Sequence, residues 1–324
     1  MKPPVFVLGS PRSGTTLLYH MLLSSGGFAV YRTESNVFNL LVPRFGDLSL
    51  RKHKKALMKV WLQSKLFRVS GLDAQDIEAK ILAECKSGAD FLTIVMEEIA
   101  RSQNVERWAE CTPEHILYLP QIMKGLADAL VIHIIRDGRD VALSLDKLGW
   151  IRPFPWQRDR SRLVAGLFWE WIVGRGRDYG RIVGHNYTEV RFEELVAYPR
   201  ETLAKLSEFI HHDLDYDRIQ RIAIGSVRKP NTSFEAESHG EAFKPVGRWK
   251  HGFSPGELAK LEVMIGKFLE ELHYPLSTSG EASGNSAELT RMRTLYRMYF
   301  DSRLWLKKNT VLSRYLIDTD LSWL

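Results

Sequence analysis

Cysteine is almost absent from this 324-residue sequence, with only Cys85 and Cys111 present. An exported chain of this length would carry more of them as cross-links, so the count excludes a disulfide scaffold and points to a reducing, cytoplasmic setting. Long apolar runs are lacking as well. Val5-Phe6-Val7-Leu8 and Leu130 to Ile135 fall far short of the roughly 20 residues that span a bilayer, and the N-terminal run is too brief for a signal peptide. A soluble protein is expected. Glycine (23) and proline (13) are at ordinary levels, which excludes collagen and wholesale disorder. There is no internal repeat, and no Cys/His/carboxylate set has ligand spacing, so no metal is expected.

What is present is an ordinary globular mixture, 44% hydrophobic and 26% charged, long enough for one large domain carrying a helical insertion. The net charge of +6 allows an anionic partner. Its distribution is uneven: residues 290–324 hold seven Lys/Arg against three Asp, or +4, leaving the body near neutral. With no recognised reading motif in that tail, nucleic acid is not expected.

Val5 to Leu8 reads as a buried parallel strand, Ser13 to Leu23 as a helix and Phe28 to Tyr31 as a second strand, a βαβ opening that commits the chain to an α/β fold. Residues 47–103 are helical and polar, and the run Arg51 to Lys55 reads as a solvated helix face. The sheet resumes at Leu130 to Ile135, followed by a helix over Val141 to Leu148, and again at Tyr187 to Phe192. Glu193 to His211 and Pro255 to Leu272 are expected helices, the latter with Ser254 as N-cap. Residues 276–289 are Ser/Gly-rich and read as a linker. The expected organisation is a domain over 1–275 with an insertion at about 47–103, that linker, and a basic aromatic helical tail over 290–324.

The strongest chemical signal is Gly9-Ser10-Pro11-Arg12-Ser13-Gly14-Thr15-Thr16 between the first strand and first helix. Backbone amides of such a loop converge with the helix's positive end and make a phosphate cradle. The glycine spacing is that of a P-loop, but Thr15 stands where a nucleoside-triphosphatase needs lysine, and the cation has moved to Arg12.

This loop resembles the 5′-phosphosulfate loop of sulfotransferases that use 3′-phosphoadenosine 5′-phosphosulfate (PAPS), in the Pro-Arg-Ser-Gly-Thr-Thr form of carbohydrate, protein-tyrosine and bacterial members. A second match is Arg136-Asp137-Gly138-Arg139-Asp140 with Ser144 eight residues after Arg136, similar to the family's 3′-phosphate signature. Val190 to Leu195 is similar to a segment in which Phe192 replaces a Tyr that contacts adenine. Val246-Gly247-Arg248-Trp249-Lys250 is similar to a late loop closing over the 3′-phosphate, without the preceding Arg-Lys-Gly run, so Lys244 or Arg248 is left to supply that charge.

The resemblance implies a P-loop-like parallel sheet flanked by helices, a PAPS-dependent sulfotransferase needing no metal, and in-line sulfuryl transfer to a hydroxyl, or less readily an amine, of a small molecule, carbohydrate or lipid. Pro11, Arg12, Ser13, Gly14, Thr15, Thr16, Arg136, Ser144, Phe192, Lys244 and Arg248 are then the cofactor-binding set. Arg12 is the catalytic cation, and the base is Glu34, Glu110 or His115. Glu34 is similar to the base of protein-tyrosine sulfotransferases, offset by one residue. Glu110 and His115 lie in Trp108-Ala109-Glu110-Cys111-Thr112-Pro113-Glu114-His115, similar to a family segment with lysine where Cys111 stands. The rival readings are a P-loop kinase or NTPase with Asp137 as Mg²⁺ ligand, and a non-catalytic nucleotide-binding protein at a membrane surface. The tail could serve as a membrane-surface or homodimer contact. Trp150, Phe154 and Trp156 form either an acceptor wall or a core cluster.

Overall fold

The computed structural model describes residues 1–229, 244–278 and 286–316. Its centre is a parallel sheet of β1 (Val5–Gly9), β2 (Ala109–Glu110), β3 (Leu130–Ile135) and β4 (Tyr187–Arg191), in the order β2-β1-β3-β4. β1 and β3 are buried at every position, which is why they read as continuous apolar runs. Alternate side chains serve two layers. Phe6, Leu8, Val131 and Ile135 enter the larger core, while Val5, Val7, Ile132 and Ile134 enter the smaller one.

α1 (Thr15–Ser24) covers the smaller core, and a π-helical turn at Val37–Leu41 runs into α2 (Val42–Phe45). The insertion holds α3 (Arg51–Trp61), α4 (Lys65–Ser70), α5 (Ala74–Glu84) and α6 (Gly88–Ser102). Ser64, Asp73 and Ser87 cap the last three with side-chain oxygens on first-turn amides. The chain continues through α7 (Leu119–Gly125), α8 (Gly138–Lys147), α9 (Ser161–Val183), α10 (Phe192–Ala197), α11 (Pro199–Ile210), α12 (Tyr216–Ile222) and α13 (Trp249–Gly252). α14 (Pro255–Glu271) starts on Ser254 with a complete capping box to Glu257. α15 (Ser286–Asn309) packs on α9 and α14, where Arg293 pairs with Glu170 and Asp301 accepts from Trp171 and Arg175.

Four expectations need correction. Phe28 to Tyr31 is not a strand: Phe28 makes one parallel bridge to Arg107, and the Gln103 side-chain amide then occupies both the N–H and C=O of Val30. Glu193 to His211 is two helices, because Pro199 forces Tyr198 out of helical geometry (φ −132°, ψ 62°). Within the basic run, Lys54 is buried and donates to the Leu82 and Cys85 carbonyls at 2.7 and 2.9 Å, so only its neighbours form the solvated face. The last helix begins inside the expected linker; residues 279–285 of that linker and 317–324 of the tail lie outside the described residues.

Candidate active site

The loop after β1 closes with Ser13 N–H on the Ser10 carbonyl (3.2 Å), and Pro11 is buried beneath it. Gly14 (φ 96°) forms the N-cap of α1, where a Cβ would lie 2.3 Å from the Phe192 ring, so only glycine allows this turn and this packing together. Arg12 is itself left-handed (φ 71°), a costly conformation for a side-chain-bearing residue that aims its guanidinium across the loop. Its Nε donates to Ser144 Oγ at 3.0 Å, and its Cζ lies 5.9 Å from the Trp150 ring centre.

Arg136, at the exit of β3, donates to the carbonyls of Arg12 (3.0 Å) and Pro245 (2.5 Å) and sits 4.7 Å from the Phe192 ring. Burial first, and then the charge of Arg136, lowers the Arg12 pKa; Glu34 acts in the opposite sense. Arg12, Arg136, Ser144 and Phe192, with Thr15, Thr16, Ser226 and Arg248, line a cavity of about 320 Å³. Lys244 is exposed and does not line it, so Arg248 is the cation of the late loop that reaches the cavity.

Two supports had no distinct signal in the sequence. Asp140 accepts from the amides of Gly247 and Trp249, both at 2.9 Å, and faces Arg136 at 3.6 Å, pinning the 245–249 loop over the cavity. Trp169 Nε1 donates to the Arg136 carbonyl at 3.0 Å. Asp137, the Mg²⁺ ligand of the kinase alternative, is taken instead by buried Arg139, which reaches both its oxygens (3.0 and 2.7 Å) as well as Glu262. That alternative therefore lacks an available carboxylate as well as its lysine.

The three candidate bases separate. Glu34 is open to solvent, but protein crowds its carboxyl; that desolvation, and then the charges of Glu110 and Glu114, push it up to about 7 while Arg12 pulls it down. Glu110 is buried, accepting from Ser35 Oγ (2.7 Å) and Thr112 Oγ1 (2.5 Å). His115 is buried too. Its Nε2 accepts from Phe38 N–H at 3.2 Å, so Nδ1 carries the proton and donates to Glu110 Oε2, also at 3.2 Å. Burial raises the Glu110 pKa, but His115 and the hydroxyl donors more than offset it. Glu110 and His115 are thus satisfied interior groups that hold the Ser35–Phe38 turn, and Glu34 alone of the three is exposed. Cys111 is buried, and burial holds its thiol well above the ordinary range.

Phe154 stacks between Trp156 and Tyr296 at ring separations of 5.0 and 4.9 Å and so joins α15 to the body, while Trp150, of the three aromatics left between an acceptor wall and a core cluster, leans toward Arg12. No group of three His, Cys, Asp or Glu among the described residues could hold a metal ion, and no described helix is long and apolar enough to cross a membrane.

Residues 3–217 match the profile of a family described as the sulfotransferase family. Among solved structures, the sulfotransferase domain of the Synechococcus PCC 7002 olefin synthase is similar, with a TM-score of 0.57 at 19% identity over 85% of this chain and 97% of that one. That likeness shows the fold. The sulfotransferase domain from the curacin biosynthetic pathway matches more loosely, with a TM-score of 0.49 at 15% identity over 85% of this chain and 99% of that one.

Proposed function

The chain belongs to the sulfotransferase family, and from that premise we propose that it carries the sulfuryl group of PAPS to a hydroxyl of an acceptor. One observation supports the donor above others. At the loop where Arg12 and Arg136 converge, Ser13 Oγ and Arg136 Nε are buried with no hydrogen-bond partner among the described residues. Buried polar atoms left unpaired cost on the order of 1–3 kcal/mol each, and phosphate oxygens in the adjoining cavity would pair them. The loop suits a phosphate because Gly14 (φ 96°) turns the chain there into α1, whose N-terminal amides and dipole favour an anion.

PAPS, when bound, supplies an electrophilic sulfur: an acceptor oxygen–sulfur bond forms as the sulfur–oxygen bond to phosphate breaks, the electron pair leaving with 3′-phosphoadenosine 5′-phosphate. The residues divide the remaining work. The amides of Gly14 to Thr16 hold the 5′-phosphate, and the Arg12 fork neutralises charge on the leaving oxygen. Arg136, Ser144 and Arg248 take the 3′-phosphate, while Leu17, Phe192 and Val227 offer the base an apolar wall. Glu34, titrating near pH 7, takes the hydroxyl proton.

Thermal shift tests the donor. 3′-Phosphoadenosine 5′-phosphate without Mg²⁺ is expected to stabilise the protein more than ATP with Mg²⁺, and the opposite order would overturn the reading.

A further inference from the structure

A second groove, about 550 Å³, runs between the Val37–Phe45 segment and the end of α15. Its walls include Phe38, Val42, Phe45 and Tyr118, and five Lys/Arg side chains line it against one acidic residue, Asp47. Most apolar clefts in a folded chain are closed by side-chain packing, so a cleft with this much basic charge in its walls suits an occupant that is apolar and anionic at once.

Lys307 sharpens the match. Its neighbour Lys308 is engaged, donating to the Leu117 carbonyl with its ammonium 4.9 Å from the Tyr118 ring centre. The Lys307 ammonium is partly buried and has no hydrogen-bond or ion-pair partner among the described residues; its burial lowers its pKa, and Glu114 acts in the opposite sense. A half-buried ammonium without a direct partner is free to pair with an anion in the groove.

We propose that this groove is a binding site for an anionic amphiphile: an apolar chain lying along Phe38, Val42 and Phe45, with an anionic group held by Lys307 and Arg314. The end of α15 is then part of a ligand site.

Calorimetry on the full chain tests it with decanoate as the charged amphiphile, octyl glucoside as the neutral one and acetate as the bare anion, alongside 3′-phosphoadenosine 5′-phosphate. Decanoate is expected to bind at least tenfold tighter than octyl glucoside, and acetate not measurably. Lys307→Met should weaken decanoate about tenfold while leaving octyl glucoside and the nucleotide unchanged. Arg314→Glu, at an exposed position that tolerates charge, should act in the same direction if the first variant folds poorly. Nucleotide binding intact with decanoate no tighter than octyl glucoside, or unaffected by both variants, overturns the groove assignment. Decanoate binding as described with no nucleotide binding would sink the donor reading and leave the groove standing.

Discussion

Arg12 Nε and Ser144 Oγ share a 3.0 Å hydrogen bond that joins the glycine loop to the second turn of α8. Arg136 closes the same unit from below by donating to the Arg12 carbonyl. The loop expected to hold the 5′-phosphate and the helix expected to hold the 3′-phosphate are thereby one assembly, so damage to either should be felt at both. Ser144→Ala is expected to weaken 3′-phosphoadenosine 5′-phosphate about tenfold, the scale of one hydrogen bond to a charged group. Arg12→Ala is expected to cut turnover by about 10²–10³. Ser144→Ala binding the nucleotide as tightly as the parent in calorimetry would separate the two sites.

Glu34 gives the pH dependence. A base titrating near 7 is active when ionised, so turnover is expected to rise with pH through that value and level off above it. Glu34→Gln should lose that limb and about 10²–10⁴ of the rate. Stability runs the other way. The folded carboxyl titrates near 7 and an ordinary one at 4.5, so between these values the folded chain binds more protons than the unfolded chain. This group's contribution is therefore greatest below about 4.5 and declines as pH rises through 7. Glu34→Gln should raise Tm at pH 8 and change it little at pH 5, and equal shifts at both would show that the carboxyl is not so displaced.

Arg139 ties the start of α8 to α14 through Asp137 and Glu262, with its guanidinium 3.7 Å from the Trp249 ring centre. Removing one partner of such a buried network strands the others. Arg139→Met is expected to cost about 3–5 kcal/mol in urea unfolding. A cost below about 1 kcal/mol would mean that water or rearrangement satisfies Asp137 and Glu262.

What was legible in the sequence is local. β1, the loop after it, β3 and the Ser254 cap each depend on residues adjacent in the chain, whereas α8 starts at Gly138 on an Asp137 cap, three residues before the expected Val141. The rest depends on partners far away. β2 is two residues long and exists because Val5 and Phe6 pair with it. α9 spans 23 residues, yet its glycines weaken any helical reading; Gly176 and Gly180 are there because Cβ atoms would lie 2.5 Å from Ile116 and 2.3 Å from Tyr187. Burial separates the exposed Glu34 from the interior Glu110 and His115, which no sequence pattern reports, and Asp140 had no signal apart from a charge-rich turn.

The C-terminal helix is likewise held by contacts with residues far away in the chain. Tyr296 is fully buried, stacks on Phe154 at 4.9 Å, and its hydroxyl accepts the Phe154 N–H at 2.9 Å. Truncating it removes a large aromatic from the main core, so Tyr296→Ala is expected to cost about 3–5 kcal/mol. Tyr296→Phe keeps the ring and removes the acceptor, leaving one buried amide unpaired at about 1–3 kcal/mol. If α15 is part of the folding unit, both variants should lower the single unfolding midpoint read by circular dichroism and by tryptophan fluorescence together. A separate early transition, with the main one unmoved, would make α15 an appendage that melts alone.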